Sequence, residues 1–206
     1  MVRIFKIPGF ISYLFPYRIW NLSLKTNSVY LTFDDGPQPN VTNWVLDFLK
    51  SENISATFFC IGENVKQHPE IFKRIIDEGH SVGNHSMHHE IFSRDKTQEY
   101  INSIKSAAEL IPSELFRPPY GKLSRKMAKR ISKDYRIIMW TWMAFDFDKS
   151  VSVESIIKQS RKIKSGDILV FHDNLKSEDR LKNLLPPIVA QLKKSGFQFD
   201  AIPMNR

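Results

Sequence analysis

The stretch VYLTFDDGP, residues 29–37, joins an apolar strand pattern to an abrupt polar end. Residues 29–33 are apolar, aromatic or β-branched, which predicts a β-strand. Asp34 and Asp35 follow at once, and Gly36-Pro37 then indicates a turn. The stretch therefore predicts a buried strand that carries two adjacent carboxylates at its C-terminal end.

The same alternation of apolar strand-like runs and helix-like patterns continues along the whole chain. Further strands are predicted at 56–60, 81–83, 115–116, 136–140, 167–171 and 197–202. Helices are predicted at 41–50, 68–79, 96–110, 124–133, 153–163 and 181–192, the last of them interrupted or restarted at Pro186 and Pro187. About seven strand–helix units of this kind predict the α/β class, with a parallel sheet or barrel and helices outside it.

The composition is that of an ordinary soluble domain. The 206 residues are 42% hydrophobic and 25% charged, and this length can bury a sizeable core. The formal net charge is +8, with basic residues densest between Arg117 and Arg136, which we interpret as solvated helix faces. No nucleic-acid-binding module is recognisable, so no nucleic-acid partner is expected. Cys60, the only cysteine, lies in an apolar run and is expected in the core.

Residues 1–28 precede the first strand and have the pattern of an apolar arm. Their apolar run at 7–15 follows two basic residues and is interrupted by Pro8 and Gly9. The run is too short to span a bilayer, and no small-residue cleavage site follows it. We expect the arm to pack on one domain formed by residues 29–206, or to contact a membrane surface peripherally. The expected location is therefore cytoplasmic or membrane-peripheral.

The two carboxylates after the first strand are candidates for metal binding. Adjacent strand residues point in opposite directions, but a turn can bring Asp34 and Asp35 into one pocket. Two carboxylates in one pocket repel each other, which raises the pKa of one of them unless a cation lies between them. A divalent metal is such a cation. The alternative is a plain surface turn, because Asp-Gly-Pro is common turn chemistry.

The segment HSMHH places His85 and His89 four residues apart. One helical turn would put both imidazoles on the same face, a spacing that suits two ligands of a zinc ion. With one carboxylate they would form a three-ligand site that keeps a position open for water, as catalytic zinc sites do. His88, three residues after His85, competes as a ligand on this pattern alone.

Three later segments also carry candidate residues. In RPPYG, residues 117–121, two prolines stiffen the chain, so that Arg117 could clamp a carboxylate bidentately. His172 follows the strand predicted at 167–171, where a buried imidazole can act as a general acid or base, or can simply be a core or capping residue. The run WTWMAFDF, residues 140–147, has aromatics that could stack on sugars or lie in the core.

With these motifs in this order, the chain resembles the NodB-homology polysaccharide deacetylases, carbohydrate esterase family 4. The resemblance runs from about Val29 to the C-terminus and rests on five motifs, among them TFDDG, HSxxH and RPPYG. It implies a distorted (β/α)7-type barrel. It also implies a metal-dependent hydrolase that removes N-acetyl, or O-acetyl, groups from an acetylated sugar polymer or oligosaccharide such as chitooligosaccharide or peptidoglycan.

The resemblance implies a role for each matching residue. Metal ligands are implied at Asp35, His85 and His89, which makes His88 a bystander. Catalytic residues are implied at Asp34 as the base, Arg117 holding the base, Tyr120 offering its backbone N–H to an oxyanion, His172 as the acid, and Asp146 pairing with that acid. Substrate-binding residues are predicted at Tyr120, Trp142, Phe147 and Val170, the last at a position where the family usually has leucine.

Zinc is the first choice for the one divalent metal, although an Asp-His-His set also accepts cobalt, nickel or other first-row ions. The chain departs from the family at MAFDF, residues 143–147, where Asp-x-x-Asp-Trp is common. The first Asp is missing there and Phe147 replaces Trp. Three alternatives remain open: a same-fold hydrolase of a cyclic ureide or formylated sugar, a non-catalytic carbohydrate-binding module, and a binder of anionic polymers.

Overall fold

A computed structural model describes residues 3–22 and 27–204 and has the predicted α/β architecture. Its strands are β1 (Ser28–Asp34), β2 (Thr57–Cys60), β3 (Ser81–Asn84), β4 (Leu115–Phe116), β5 (Arg136–Ile137), β6 (Trp142–Met143), β7 (Ile168–His172) and β8 (Gln198–Phe199). Its α-helices are α1 (Ile11–Leu14), α2 (Pro39–Glu52), α3 (Gly62–Gln67), α4 (Pro69–Asp77), α5 (Thr97–Ala108), α6 (Arg125–Ile131), α7 (Val153–Ser160) and α8 (Glu178–Lys194).

The sheet is parallel throughout, with the strand order β5-β4-β3-β2-β1-β7-β6 and with β8 paired to β1. β1 is central, and its last residue, Asp34, is in register with Phe59 of β2 and His172 of β7. Because all these strands run the same way, their carboxyl ends meet on one face of the sheet. The polar strand ends singled out in the sequence therefore converge there.

The sheet curls almost into a barrel because one short segment contributes to both of its ends. β5 pairs with β4 at one end and β6 pairs with β7 at the other, yet only residues 138–141 separate β5 from β6. The two ends are thus held together by the chain itself. This curled parallel sheet confirms the predicted distorted barrel.

The hydrophobic core lies on both faces of β1, which is buried along its full length. The Phe33 ring lies between the rings of Phe58 and Phe171, at centroid distances of 5.1 and 5.9 Å. Cys60 is fully buried, and burial raises the pKa of its thiol well above the usual value, so it is the core residue that the sequence predicted. Full burial of each such side chain contributes about 1.5–3 kcal/mol.

The prediction that Pro186 and Pro187 interrupt the last helix is wrong. α8 runs unbroken through both prolines, which lie inside its 17 residues. The helix buries an apolar face formed by Leu181, Leu184, Leu185, Ile188, Val189 and Leu192. Burial of six such side chains outweighs a cost of about 3 kcal/mol for a proline in a helix interior.

Other differences concern short elements. The strand predicted at 136–140 ends at Ile137, and β6 was not predicted, because two-residue strands leave too little alternation to detect. α3 was also missed, since its six residues have only Gly62 and Val65 buried. The remaining predicted strands and helices are present, with ends shifted by a few residues.

Residues 3–22 of the N-terminal arm lie along the gap between β5 and β6. The Ile7 N–H donates to the Thr141 carbonyl at 2.8 Å, and the Ile19 N–H donates to the Ile137 carbonyl, also at 2.8 Å. Lys6 makes an ion pair with the mostly buried Asp167. The arm is therefore fastened to the sheet at both of its ends. In the described part of the chain, no helix has the length and apolar character needed to cross a bilayer.

Candidate active site

A cavity of about 460 Å³ opens at the carboxyl ends of the strands. Most of the residues singled out in the sequence line it, namely Asp34, Asp35, His85, His89, Tyr120, Phe147, Val170 and His172. It is also lined by residues that were not predicted, namely Pro118, Gly121, Trp140, Met143, Asn174 and Lys176. Arg117 and Asp146 are fully buried and act on this cavity through hydrogen bonds to Asp34 and His172.

Three side chains converge on one side of the cavity as a candidate metal centre. Ligand atoms of Asp35, His85 and His89 all lie within 4.8 Å of one another. The Asp35 Oδ1 atom is 3.2 Å from His89 Nε2 and 3.6 Å from His85 Nε2. This oxygen is buried, yet it accepts no hydrogen bond from any residue within the described ranges, 3–22 and 27–204. An orphaned carboxylate oxygen facing two imidazole nitrogens is what a bound divalent cation would satisfy.

The two histidines reach this centre by a route that differs from the predicted one. We expected one helical turn to align them, but the chain after β3 is not helical, and Ser86 and His89 have left-handed φ values of 65° and 58°. A tight non-helical turn brings the rings together instead, at a centroid distance of 5.0 Å. His88, the competing ligand on sequence grounds, is exposed to solvent.

Neighbouring groups orient the three candidate ligands. His85 Nδ1 lies 2.8 Å from the Arg117 carbonyl, which fixes Nδ1–H as the donor and leaves the Nε2 lone pair facing the centre. Asn174 donates to Asp35 Oδ2 at 2.7 Å, and Asn64 donates to the Asp35 backbone carbonyl at 2.7 Å. Burial raises the pKa of Asp35, but contacts with His85 and His89 lower it by more, so this pKa lies well below the usual value. The carboxylate is therefore ionised, as a ligand must be.

Asp34 lies beside this centre and is held by Arg117. Arg117 Nη1 donates to Asp34 Oδ1 at 2.6 Å and to Thr32 Oγ1 at 2.7 Å. Its Nε and Nη2 donate to the carbonyls of Ile138 and Met139, and its Cζ lies 4.0 Å from the Phe59 ring centroid. The expected bidentate clamp is therefore wrong, because strand-end carbonyls take the remaining donors. Asp34 Oδ2 is left free of Arg117 and faces the cavity that Asp34 lines.

His172 lies on the opposite side of Asp34, paired with Asp146. Its Nδ1 is 2.7 Å from Asp146 Oδ1, and its backbone N–H donates to Asp146 Oδ2, also at 2.7 Å. Burial lowers the pKa of His172, but Asp146, followed by Asp35 and Asp34, raises it to about 9. The imidazole is therefore protonated near neutral pH and presents its Nε2 side to the cavity.

The turn that carries Asp35 depends on a close contact with Asp173. Asp173 Oδ1 accepts from the Gly36 N–H at 3.0 Å, and its Oδ2 accepts from the Thr42 hydroxyl at 2.6 Å. A Cβ at Gly36 would lie 2.1 Å from Asp173 Oδ2, so only glycine fits. Burial, opposed by the Thr42 hydrogen bond and reinforced by Asp35 and Asp34, raises the pKa of Asp173 to about 7.

Aromatic side chains form the rim of the cavity. Tyr120 is 61% exposed, its ring lies 4.7 Å from the His89 ring, and its φ of 59° is left-handed. Phe147 is 38% exposed and meets the His172 ring edge-on at 5.0 Å. Val170 is 1% exposed and forms part of the wall. Tyr120 and Phe147 therefore offer aromatic surface at the mouth of the cavity.

The prediction that Trp142 binds substrate is wrong. Trp142 is fully buried, packs 5.9 Å from Phe171 in the core and does not line the cavity. Trp140, two residues earlier, lines the cavity instead. The run at 140–147 gave no signal to choose between them, because β6 is too short to fix the direction of alternation from the sequence.

Sequence reasoning also missed Asn174, which supports Asp35. Its position directly after the His172-Asp173 pair was the signal that could have found it.

A model of a protein family described as polysaccharide deacetylase matches residues 22–137. A peptidoglycan-N-acetylglucosamine deacetylase of Bacillus cereus (strain ATCC 14579) is 34% identical over 194 residues, which cover 90% of this chain and 91% of that protein.

The chain belongs to the polysaccharide deacetylase family. It is therefore a hydrolase of carbohydrate esterase family 4, as the motifs implied. A chitooligosaccharide deacetylase of Bradyrhizobium sp. (strain ANU 289) is 32% identical over 202 residues, covering 86% of this chain and 90% of that protein. Among solved structures, a peptidoglycan N-acetylglucosamine deacetylase in complex with 4-naphthalen-1-yl-N-oxidanyl-benzamide matches 96% of this chain and 95% of its own, with a TM-score of 0.78 and 29% identity.

Proposed function

We propose that this deacetylase hydrolyses the acetamide of an N-acetylated sugar within a glycan strand, such as peptidoglycan or chitooligosaccharide. The observation that carries the proposal is the convergence, in one cavity, of a candidate metal centre, a free carboxylate oxygen on Asp34 and a protonated His172. The two relatives described above are named as deacetylases of such glycans. The reaction adds water across the amide C–N bond and yields acetate and a free amine.

Asp35, His85 and His89 would hold the divalent metal. The orphaned Asp35 Oδ1 and the orientation of His85 by the Arg117 carbonyl fit such a cation. Zinc is the metal that we propose, because one carboxylate and two imidazoles match its usual catalytic ligand set. When bound, it would supply Lewis acidity, which lowers the pKa of water towards ~7 and polarises a carbonyl group.

Asp34 would accept the proton of the attacking water. Arg117 donates to Asp34 Oδ1, while the other oxygen stays available as a base. Since four further groups fix Arg117, the carboxylate cannot swing away from the cavity. A general base held in this way contributes about 10²–10⁴-fold to the rate.

His172 would donate the proton that the departing nitrogen needs. Its Nδ1 is engaged by Asp146, so the proton on Nε2 is the one available to substrate. The Tyr120 backbone N–H would stabilise the developing oxyanion, since no acceptor for it exists among residues 3–22 and 27–204. Val170, Phe147 and Trp140 would surround the acetylated sugar.

Acetate release from chitooligosaccharides and from peptidoglycan tests the proposal. We expect release by the zinc-loaded protein, loss of release after chelation, and recovery when zinc is added back. Absence of acetate release from every N-acetylated glycan by metal-loaded protein would contradict it. Ring opening of a cyclic ureide by the same preparation would replace it with the same-fold alternative.

Two neighbouring histidines provide a matched pair of variants for the ligand assignment. His89→Ala removes one proposed ligand, whereas His88→Ala removes an exposed imidazole one residue away. We expect His89→Ala to lose bound zinc and His88→Ala to retain one ion per chain, measured by mass spectrometry after dialysis. Equal zinc content in the two variants would refute the assignment whatever the substrate is.

A further inference from the structure

The middle of the N-terminal arm exposes an unusual set of apolar side chains. Phe10, Tyr13 and Leu14 are 61%, 87% and 61% exposed, and Phe15 and Tyr17 are 43% and 42% exposed. α1, within this stretch, has no fully buried residue. Isolated exposed apolar residues are normal on a protein surface, but five within one eight-residue stretch of chain are unusual, and exposed apolar surface concentrated in this way marks an interaction site. We call these five residues the apolar tip.

The residues on both sides of the apolar tip are hydrogen-bonded to the rest of the domain. On one side Ile7 is hydrogen-bonded to Thr141, and on the other Ile19 is hydrogen-bonded to Ile137, so both flanks are part of the sheet edge. Within the tip, the Phe15 N–H donates to the Ile11 carbonyl at 3.2 Å. The exposure of the tip is therefore not that of an untethered chain end.

A basic surface adjoins the apolar tip. Arg18 Cζ lies 5.4 Å from the Phe15 ring centroid, and Arg18 Nη2 donates to the Leu123 carbonyl at 2.7 Å. Leu123 directly precedes the N-cap of α6, and Trp20 of the arm packs on the same hydrophobic cluster as Met127 of α6. The arm and α6 are thus neighbours on one side of the molecule.

The α6 side of this surface contains a cleft of about 610 Å³ with four cations in its lining. We call it the basic cleft, and its charged residues are Arg94, Arg125, Lys126 and Arg130. None of the four makes an ion pair with any residue in the part of the chain that the structure describes. Phe92 and Met127 supply apolar surface between them.

Acidic residues are missing from two of the three segments that build this surface, whereas the third, residues 92–97, contains Asp95. No Asp or Glu occurs between Met1 and Phe33, and none occurs between Leu115 and Lys133. Over the whole chain 22 acidic residues accompany 30 basic ones, whereas the lining of the basic cleft contains four cations and no carboxylate. An apolar patch beside unpaired cations is complementary to an anionic surface with an apolar interior.

We propose that the apolar tip and the basic cleft together dock this deacetylase on the surface of an anionic phospholipid bilayer. Aromatic and leucine side chains of the tip would enter the boundary between headgroups and acyl chains. Arg18 and the cations of the basic cleft would contact lipid phosphates. An anionic glycan would satisfy the cations alone and leave the tip exposed, so the bilayer accounts for more of the surface.

Co-sedimentation with vesicles tests this docking without reference to catalysis. The full chain is mixed with vesicles of phosphatidylcholine alone, or of phosphatidylcholine and phosphatidylglycerol in equal parts. We expect sedimentation with the anionic vesicles only, weakening as salt is raised. A protein that stays in the supernatant with both vesicles, or that sediments equally with both, would overturn the proposal.

Two variants separate the contributions of the two parts. Phe10→Ser/Tyr13→Ser/Leu14→Ser removes the centre of the tip, and Arg125→Gln/Lys126→Gln neutralises two exposed cations of the cleft. We expect the first to abolish sedimentation and the second to weaken the partition coefficient by about fivefold per cation. Lys158→Gln/Lys162→Gln is the matched charge control and should bind like wild type. Unchanged binding by the tip variant would overturn the proposal in favour of a purely cationic glycan or phosphate site.

A direct readout of insertion is available because Cys60 is fully buried and so is shielded from thiol labelling. A polarity-sensitive dye attached to a Tyr13→Cys variant should shift to shorter emission wavelength on anionic vesicles. The same dye at an Ile76→Cys position, which is 40% exposed on α4, should not shift. Equal shifts at both positions would indicate non-specific adsorption and overturn the docking surface.

Discussion

The floor and the rim of the active-site cavity are built in different ways. The floor, formed by Asp34, His85 and Arg117, is buried and tied by hydrogen bonds to strand ends. The rim, formed by Tyr120 and Phe147, is exposed and held mainly by ring contacts with His89 and His172. The difference suggests that the floor determines whether the reaction occurs, whereas the rim determines which glycan is accepted.

The strongest test of the floor is Asp34→Asn. The amide keeps the size of the side chain but cannot accept a proton, so we expect kcat to fall by about 10²–10⁴-fold. Zinc content should stay at the wild-type level, because Asp34 is not among the proposed ligands. Steady-state acetate release and metal analysis of the same sample check both points. Wild-type turnover in this variant would remove Asp34 from the mechanism.

The floor should also dominate stability. Arg117→Met leaves Asp34 as an unpaired buried carboxylate, and we expect the free energy of unfolding to fall by about 3–5 kcal/mol. Denaturant titration measures the change. In Arg117→Met/Asp34→Asn the orphaned charge is gone, so part of the lost stability should return. If the double variant loses as much free energy of unfolding as Arg117→Met and Asp34→Asn lose in sum, the two side chains are not coupled.

Asp146, which pairs with His172, is the next residue to test. We expect Asp146→Asn to lower the upper pH limit of activity. Burial lowers the pKa of His172 while Asp146 and the two neighbouring aspartates raise it to about 9, so in wild type this proposed acid stays protonated until the pH rises through about 9. Without the Asp146 charge the pKa should move towards ~6.5. Activity should then be lost between about pH 6.5 and 9, where wild type retains it. A pH profile of kcat with the same upper limit in both proteins would contradict the pairing.

The smallest effect is expected at the rim. Phe147→Ala removes one ring that faces the cavity, and an aromatic contact is worth about 0.5–1.5 kcal/mol, so KM for a glycan should rise by up to about tenfold. Because His172 keeps its Asp146 partner, kcat should change little. Ile91→Ala, an exposed residue outside the cavity lining, is the control and should leave KM unchanged. A loss confined to kcat would place Phe147 in the floor instead.

The sequence was sufficient for the fold class because its long elements have strong patterns. Apolar strands such as β1, each ending in polar residues, predict parallel strands with a site at their carboxyl ends. Elements that depend on tertiary contacts were missed or misjudged. β6 is two residues long, and α8 remains continuous through Pro186 and Pro187 only because its apolar face is buried.

The candidate site was predictable in membership but not in geometry. Asp35, His85 and His89 were named as a set, yet the non-helical turn that joins the histidines could not be inferred from their spacing. Likewise Arg117 was expected near a carboxylate, but it also donates to the carbonyls of Ile138 and Met139. These residues are distant in sequence, so the sequence did not show that they would use the donors needed for a bidentate contact. The choice between Trp140 and Trp142 depended on the direction of one side chain, which no sequence pattern fixes over so short a strand.

Three residues that line the cavity, Asp35, His89 and Tyr120, have left-handed backbone, with φ between 58° and 84°. Each such non-glycine residue costs on the order of 1–3 kcal/mol. Replacing any of them by glycine would relax the chain while deleting a side chain that lines the cavity. Selection for higher stability and selection for activity therefore favour different residues at these positions. In a relative that has lost the activity, we expect glycine to replace these residues first.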